Sequence, residues 1–387
     1  MAVDIQGILN PFDSSAQIVN DIHVFAINWF SNRCPLVTRV PRLPATSDKF
    51  DIVNRFYRAR TATLAAAIVT GDSTMTVDDA SKFMVGDVLE LMDTAGTSIE
   101  RVEVTADPNV STNVLTIKRA VEGTTARANT AAGNTTIRLI GNSRTGGEVD
   151  QTGAAFKPVA VSQYCQTFQH PVQIAGSLQA TPGYQLAPGV ASPFDQNKME
   201  ALQNMMDDME VSSYYGMGEV RGSGTSRPKQ KGLKTLIATN KTVSPTNAGA
   251  YKPTDLMRDT FEKCRSNGGD PDVLLVSTNF MTGLATWGHP AQRLEAGSTI
   301  FGTPINVFEA PFLGAITIIE APLLRPYTAI ALTSSEVRMR MKRNEFWNPR
   351  GVRGDAIEGE WIAEGAIEIA NEQHHGWVEG ITAFSAT

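Results

Sequence analysis

Residues 192–216 read SPFDQNKMEALQNMMDDMEVSSYYG and form the clearest helical segment of this 387-residue chain. Ser192 is a suitable N-cap, Pro193 suits the first helical position, and Asp195 completes a pattern like a capping box. Apolar residues recur at the three- and four-residue spacing of one helix face, at Met199, Leu202, Met206 and Met209. We therefore predict a single helix that ends at Gly216 and is about 34 Å long, at about 1.5 Å per residue.

The other face of this helix is acidic. It carries Asp195, Glu200, Asp207, Asp208 and Glu210 against the single cation Lys198. A helix with one apolar stripe and one charged face is typical of an element that is buried on one side only. We therefore expect the acidic face to lie at the surface of the folded chain.

Upstream of the helix, the composition of residues 62–142 changes to Thr, Val, Ala, Gly and Asp. Short β-type runs bounded by turn residues occur at 74–77, 88–92, 99–104, 114–118 and 135–140. Strands at this spacing predict a small all-β barrel or sandwich. Without this module, residues 50–60 would continue directly into 144–176, so we interpret it as an insertion. The alternative is that it belongs to one continuous domain.

The segments on either side of the β module also have β character. Residues 156–174 alternate in polarity, with Val159, Val161 and Cys165 on one face, and residues 50–60 have the same character. We predict that the two segments pair as a long hairpin with the module at its tip.

The first fifty residues differ from the rest of the chain. They contain four prolines, Pro11, Pro35, Pro41 and Pro44, and no periodic core-forming element. We therefore predict that this segment is an extended arm that lies on another subunit.

Downstream of the long helix, short helical and β patterns alternate. A second helix is predicted at about 254–266 and ends at Gly268 and Gly269. Short apolar runs predict strands at 273–276, 305–308, 316–320 and 328–332. The order of elements therefore indicates an α+β protein.

The last fifty residues show a sharp inversion of charge. Six cations come first: Arg338, Arg340, Lys342, Arg343, Arg350 and Arg353. Acidic residues then follow between positions 355 and 372, without a Lys or Arg among them. Because Glu364, Glu368 and Glu372 would stack like charges on a helix, we predict a strand that carries Glu360, Glu364 and Glu368 on one face.

Two interpretations of the basic block remain open. Basic residues beside Phe346 and Trp347 can bind nucleic acid. We favour the alternative, an ionic contact with the acidic helix face of a neighbouring copy, because the chain as a whole is acidic, with a net charge of −6. The predicted subunit-contact residues are Asp207, Asp208, Glu210, Arg338, Arg340, Lys342, Arg343, Arg350 and Arg353.

Composition and motifs exclude several other classes of protein. Hydrophobic residues make up 42% of the chain and charged residues 19%, which excludes wholesale disorder. No apolar run reaches the roughly 18–20 residues of a membrane helix, so no membrane partner is expected. Nucleotide-binding and hydrolase motifs are missing from the sequence, and the three cysteines, Cys34, Cys165 and Cys264, are too far apart to indicate a disulfide framework or a zinc site. We predict no catalytic residue, metal or cofactor, and interpret the cluster of Glu372, His374 and His375 as solvated or hydrogen-bonded.

The order of these parts resembles the major capsid proteins of tailed bacteriophages with the Hong Kong 97-type fold. The matching residues are spread along the chain: Tyr164-Cys165-Gln166-Thr167-Phe168, residues 172–176, the 199–215 helix, Lys231-Gly232-Leu233, Thr239-Asn240, Trp347, Arg353-Gly354-Asp355, Gly359-Glu360-Trp361, Glu364, Asn371-Glu372 and His375-Gly376. The β module resembles a recurrent phage pattern that includes Phe83-x-Val85-Gly86-Asp87, Glu100-x-Val102, Leu115-Thr116-Ile117-x-Arg119 and Gly123-Thr124-Thr125-Ala126.

The resemblance implies a division of the chain into the parts of that α+β fold. These are an N-terminal arm (1–48), an E-loop hairpin (49–61 and 143–180), an inserted small all-β domain (62–142), a peripheral domain with the long spine helix (181–278 and 340–387) and an axial domain (279–339). The function it implies is structural, with no enzymatic activity.

The resemblance also implies partners and a location. Copies of the chain would form the hexamers and pentamers of a phage head that encloses double-stranded DNA, which they would contact non-specifically. The partners it implies are a separate scaffolding protein and a portal protein, and it leaves open a decoration protein. The chain would be made in the host bacterial cytoplasm and end in the virion capsid. Covalent crosslinking is not predicted. Two alternatives stay open: a tail or baseplate component whose β module binds a host glycan, and a hydrolase that uses the C-terminal glutamates.

Overall fold

The computed structural model describes residues 33–54, 58–92, 97–128, 135–143, 159–179, 192–219, 227–284, 287, 292–293 and 307–385. The chain divides into two compact units. One comprises Met1–Asn54 with Val159–Thr387, and the other comprises Arg55–Pro158. We call them the main unit and the inserted unit.

The main unit contains most of the helices and strands. Its strands are β1 (Arg42–Pro44), β2 (Lys49–Asn54), β9 (Val159–Tyr164), β10 (Gln166–Ala175), β11 (Met217–Glu219), β12 (Lys229–Lys231), β13 (Lys241–Thr242), β14 (Val273–Val276), β15 (Gln292–Arg293), β16 (Val307–Ala310), β17 (Gly314–Glu320), β18 (Ala329–Leu332), β19 (Val337–Arg353), β20 (Ala356–Ile369) and β21 (Gly376–Val378). Its helices are α1 (Pro35–Arg39), α2 (Gly176–Gln179), α3 (Pro193–Tyr215), α4 (Leu233–Leu236), α5 (Pro253–Leu256), α6 (Glu262–Ser266) and α7 (Thr278–Leu284). The inserted unit contains β3 (Thr61–Thr63), β4 (Thr74–Thr76), β5 (Asp87–Met92), β6 (Ser98–Val104), β7 (Val114–Lys118) and β8 (Thr136–Asn142). The mixture of sheets and helices confirms the predicted α+β class.

The long helix α3 has the predicted bounds and the predicted start. The Ser192 hydroxyl accepts a hydrogen bond from the Asp195 backbone N–H at 3.2 Å, and Pro193 occupies the first turn. The buried face, however, differs from the predicted stripe, because Met199 is 47% exposed while Met205 is fully buried. The reason is that α3 packs on two sides, against α1 as well as against β10 and β20, so its buried surface is wider than one stripe.

A four-stranded sheet in the order β1-β19-β20-β10 lies against α3. Strands β19 and β20 form a long antiparallel hairpin. Strand β20 also pairs antiparallel with β10, and Gln166 lies opposite Gly365. The predicted strand through Glu360, Glu364 and Glu368 is therefore confirmed. The β segment predicted at 156–174 is a strand over 159–164 and again over 166–174, but only the first of these strands pairs as predicted. The chain changes partner at Cys165: β9 pairs with β2, whereas β10 turns its buried residues Phe168 and Val172 into the core beside α3.

A seven-stranded sheet in the order β13-β21-β18-β14-β17-β16-β15 forms the second layer of the main unit. It confirms the strands predicted at 273–276, 316–320 and 328–332; residues 305–306 of the fourth predicted strand lie outside the described residues. The predicted second helix is α5 and α6, joined by a π-helical turn at Met257–Phe261. Gly268, with a φ of +88°, follows its end.

The N-terminal segment is described from Arg33, and residues 1–32 of the predicted arm lie outside the described residues. Leu36 and Val37 of α1 belong to the core, and β1 pairs in parallel with β19. The prediction of an extended arm that lies on another subunit is therefore wrong for residues 35–44, which pack on their own chain. A five-residue helix is too short to display a period, so its burial could not be read from the sequence.

The inserted unit has its own antiparallel sheet and core. Its six strands run in the order β3-β8-β5-β6-β7-β4, and β4 to β8 overlap the five predicted β runs of this region. Its core is formed by Leu64, Met75, Leu89, Val102, Leu115 and Ile137 with their neighbours. In the main unit, β2 and β9 pair with Asn54 opposite Val159, the two residues that flank the inserted unit in sequence. Within the described residues, no helix has the length and apolarity needed to cross a membrane.

Candidate subunit-contact surface

Glu210, one of the predicted surface acids, is buried on α3, with 0% exposure. One of its oxygens accepts the Leu36 N–H at 2.9 Å and the other accepts the Val37 N–H at 2.7 Å. The Tyr214 hydroxyl also donates to it. Burial raises the pKa of Glu210, and these hydrogen bonds offset the rise only in part. The predicted exposed position of Glu210 is therefore wrong, because α1 covers this side of the helix.

The other two predicted acids of α3 differ from Glu210 and from each other. Asp207 is half-buried; it pairs with Arg33 at 3.2 Å and accepts hydrogen bonds from Cys34 and Gln203. Asp208 has a side chain that is 64% exposed and lies 2.8 Å from His170 on β10. Of the three predicted acids, Asp208 alone presents most of its side chain to solvent.

The basic block forms most of β19 and pairs with the acidic block on β20. Arg343 Nε lies 2.9 Å from Glu364, Lys342 Nζ lies 3.5 Å from the same carboxylate, and Arg350 lies 2.6 Å from Glu360. Arg340 forms an ion pair with Glu368, and Lys342 another with Asp48. Arg338 is exposed, whereas the side chain of Arg353 lies outside the described residues. The inversion of charge thus reflects cross-strand pairing within one hairpin.

Glu360 shows how strongly this face of the hairpin is organised. Its carboxylate accepts hydrogen bonds from Gln169 on β10, from Asn348 at 2.9 Å and from Arg350 at 2.6 Å. Gln169 contributes most to the resulting decrease in the pKa of Glu360. A cation and two amides thus hold this glutamate ionised at the centre of the sheet.

The first turns of α3 rest on an aromatic cluster of the same hairpin. The Trp347 and Trp361 rings meet edge to face, with centroids 5.5 Å apart. Lys198 Nζ lies 4.7 Å from the Trp347 centroid, and its carbonyl accepts the Trp361 indole N–H at 2.8 Å. A Cβ at Gly359 would overlap the Trp347 ring. The Gly359-Glu360-Trp361 motif therefore makes room for one tryptophan and positions the other.

Two buried glutamines join β9, β12 and β20 at the C-terminal end of α3. The Gln163 amide donates to the carbonyls of Lys231 at 2.7 Å and Ile367 at 2.8 Å, and its oxygen accepts the Lys231 N–H. Gln230 donates to Ser212 at 2.6 Å and accepts the Ile367 N–H at 2.9 Å. Sequence analysis missed this junction because each glutamine is isolated in sequence; its only signal was the position of Gln163 among apolar residues of a β pattern.

The C-terminal histidines are hydrogen-bonded, in agreement with one of the two predicted interpretations. His375 is fully buried and accepts the Thr333 N–H at 3.2 Å, and burial lowers the pKa of His375 to about 4. His374 lies 2.9 Å from Glu336. Glu372 accepts the backbone N–H groups of Ala238 and Thr239. In the part of the chain that the structure describes, no group of three or more ligand-type side chains could hold a metal ion.

Comparisons with known proteins place these contacts in context. The sequence model of the family described as SU10 major capsid protein matches residues 6–382. No curated protein matches the chain significantly.

Three solved structures illustrate the structural similarity. The chain is similar to one from Mycobacterium phage Bobi (12% identity, TM-score 0.48), covering 96% of this chain and 99% of that one. It is similar to one from Mycobacterium phage Adephagia (11%, 0.48), covering 97% and 98%, and to one from Microbacterium phage Oxtober96 (8%, 0.48), covering 96% and 99%.

The family match confirms the resemblance to phage major capsid proteins that the sequence predicted. The matched residues, 6–382, include nearly all of the main unit and the whole inserted unit. The chain belongs to the SU10 major capsid protein family and is a structural protein of the capsid shell.

Proposed function

We propose that copies of this chain assemble into the hexamers and pentamers of a closed phage head around double-stranded DNA. The observation that carries the proposal is the family match over residues 6–382. The internal contacts of the main unit support it, since hydrogen bonds to Glu210 join α1 to α3 and the Trp361 indole joins α3 to the C-terminal hairpin. Such a subunit keeps its shape while its outer surfaces meet its neighbours.

The parts of the chain would have different roles in that shell. Residues 49–61 and 143–180 would form the E-loop, 62–142 the inserted domain, 181–278 with 340–387 the peripheral domain, and 279–339 the axial domain. The pairing of β2 with β9 supports the E-loop assignment. The strands of the seven-stranded sheet come from both the proposed axial and the proposed peripheral segments, so these two would share one core. In the proposed arm, 1–48, the contact with other subunits would fall to residues before Arg33.

The proposed contacts between subunits involve the charged groups that remain accessible. Asp208 on α3 and Arg338 on β19 are exposed, and the paired cations of β19 stay more exposed than their carboxylate partners on β20. For Arg350 and Glu360 the side-chain exposures are 50% and 4%. A neighbouring chain or DNA that approaches this face would therefore meet guanidinium groups before carboxylates.

Further partners of the head are also proposed. They are a separate scaffolding protein, a portal protein, a decoration protein and the packaged DNA. The chain would be made in the cytoplasm of the host bacterium before it enters the virion.

The test is negative-stain electron microscopy of the purified chain, with sedimentation velocity on the same sample. Closed shells, tubes, or discrete pentamers and hexamers would support the proposal and would argue against a tail or baseplate component. A chain that stays monomeric at all concentrations, also when produced together with the scaffolding and portal proteins of its phage, would contradict it.

A further inference from the structure

An open groove of about 510 Å³ lies between the C-terminal half of α3 and the first half of β10. Phe168, Val211 and Tyr215 supply its apolar walls. Among the described residues that line it, Asp208 is the one carboxylate, and no lysine or arginine is present. Val211 is 39% exposed, so solvent reaches the apolar wall. The size of the groove suits two or three side chains, and its chemistry suits an apolar group beside a cation.

Phe346 of β19 presents an apolar group on the other face of the four-stranded sheet. The neighbouring Trp347 contacts Phe194 of α3, with ring centroids 5.7 Å apart, so Trp347 points towards the helix. Because successive strand residues point to opposite faces, Phe346 points away from the helix. Phe346 is 40% exposed, and Ile362, its cross-strand partner on β20, is half-buried. Cross-strand partners are neighbours, so the two side chains form a small apolar patch that faces solvent.

Cations lie beside this apolar patch. The Arg343 guanidinium lies 5.9 Å from the centre of the Phe346 ring. Within the described residues, its one hydrogen bond runs from Nε to Glu364 at 2.9 Å. The N–H groups of its two terminal nitrogens can therefore bind a further acceptor. An aromatic ring beside a guanidinium is a combination that is enriched at protein interfaces.

The groove and Phe346 have complementary chemistry but cannot meet within one chain. Strands β19 and β10 lie on either side of β20, so they are about 9–10 Å apart at the usual spacing of strands. Phe346 also points away from α3, which forms one wall of the groove. A contact between the two surfaces therefore requires two copies of the chain. Because the surfaces differ, such a contact is heterologous and generates a ring when its rotation closes.

We propose that Phe346 of one copy binds in the groove between α3 and β10 of a second copy, where Arg343 of the first copy pairs with Asp208 of the second. The ring meets apolar walls, and the guanidinium meets the one carboxylate of the groove. Asp208, whose side chain is 64% exposed beside His170, has room for this second partner. The inference rests on the proposed assembly and names one contact within it. Each copy inserts its Phe346 into one neighbour and receives that of another, as pentamers and hexamers require.

The first test is a disulfide between Phe346→Cys and Val211→Cys, both carried by the same chain and oxidised in the assembled state. The native cysteines are buried and should not compete: Cys34, Cys165 and Cys264. We expect bonds between chains, which non-reducing gels show as a ladder of multimers and peptide mass spectrometry locates. The matched control combines Val211→Cys with Phe312→Cys, because Phe312 is 42% exposed and thus as accessible as Phe346.

The outcomes of this test separate the contact from the assembly. Shells or rings in which both pairs crosslink equally, or in which the bond forms within one chain, would overturn the contact and leave the proposed assembly standing. A chain that stays monomeric, also when produced together with the scaffolding and portal proteins of its phage, would overturn both.

The second test measures the concentration at which the chain assembles, by sedimentation velocity. We expect Phe346→Ser to raise this concentration at least about tenfold, because it removes a buried aromatic anchor from the contact. Phe346→Leu keeps an apolar side chain and should retain most of the assembly. Assembly of Phe346→Ser at the concentration of the native chain would contradict the contact. A parallel fall in the melting temperature of unassembled Phe346→Ser would also contradict it, since the ring would then stabilise its own subunit.

Discussion

Two buried glutamates, one in each unit, have different kinds of hydrogen-bond partners. Glu100 of the inserted unit and Glu210 of α3 are both 0% exposed. Glu100 receives two hydrogen bonds from the Arg119 guanidinium, at 2.8 and 2.6 Å, and the backbone N–H groups of Ala120 and Arg127. Glu210 receives two backbone N–H groups and the Tyr214 hydroxyl, and the described part of the chain gives it no ion pair.

The difference shows that the partners of a carboxylate, not its burial, decide how it titrates. Burial opposes the ionised form of both groups. At Glu100 the hydrogen bonds from Arg119, Arg127 and Ala120 outweigh burial and lower the pKa. At Glu210 burial outweighs the hydrogen bonds and raises the pKa. The inserted unit therefore contains a buried carboxylate whose ionised form is favoured, and α3 contains a buried carboxylate whose neutral form is favoured.

The largest expected effect is that of Glu100→Ala. It leaves the Arg119 guanidinium, whose side chain is 8% exposed, without its partner, and we expect the inserted unit to lose about 3–5 kcal/mol of unfolding free energy. Denaturant unfolding followed by hydrogen exchange of peptides from β6 and β7 measures this loss. Glu103→Ala on the same strand is the control. A loss of less than about 1 kcal/mol would show that the ion pair stabilises little beyond what solvent would supply.

The next largest effect is that of Glu210→Ala. Three buried donors lose their acceptor, and because each unpaired donor costs about 1–3 kcal/mol, we expect a loss of about 2–4 kcal/mol in the main unit after partial relaxation. Glu210→Gln keeps the volume and one acceptor, so its loss should be smaller. Chemical denaturation of both variants provides the comparison, and equal losses would mean that packing alone holds α1 on α3.

The pH dependence of stability should have opposite signs at the two sites. The raised pKa of Glu210 contributes stability that is fully present below its unfolded pKa and is lost as pH rises through the folded pKa. The lowered pKa of Glu100 contributes stability that is present above its unfolded pKa and is lost as pH falls through the folded value.

Denaturation curves between pH 3 and 8, for the native chain and for Glu210→Gln and Glu100→Gln, measure this difference. As pH falls, the advantage of the native chain should grow over Glu210→Gln and shrink against Glu100→Gln. The same sign for both variants would refute the comparison.

The smallest expected effect on stability is that of Asp208→Asn, which changes a third, exposed carboxylate. Its pairing with His170 is open to solvent, so we expect a change of less than about 1 kcal/mol. If Asp208 contacts a neighbouring subunit, assembly measured by sedimentation velocity should fall while the melting temperature stays constant. Loss of both together would indicate a role in folding alone.

Local sequence patterns predicted the helices and strands of this fold better than the contacts between them. The cap and bounds of α3 follow from Ser192, Pro193 and Gly216, which act within a few residues of sequence. The burial of Glu210 does not follow from nearby residues, since it depends on α1, which lies more than 170 residues away in sequence. The pairing of Arg343 with Glu364 could not be predicted from local sequence either. Without a strand register, the same charge pattern is compatible with contacts to a neighbouring copy and with contacts inside one hairpin. The mirrored charges on either side of Gly354-Asp355 were the one signal of that register.

The pairing of β2 with β9 gives the chain a modular construction. Asn54 lies directly opposite Val159 in an antiparallel pair, so the ends of the chain on the main unit are only about 5 Å apart. A two-residue turn closes such a gap as readily as a folded guest of a hundred residues. Positions 54 and 159 therefore form a natural cloning junction, at which a foreign domain or epitope can replace the inserted unit while the register of both strands is kept.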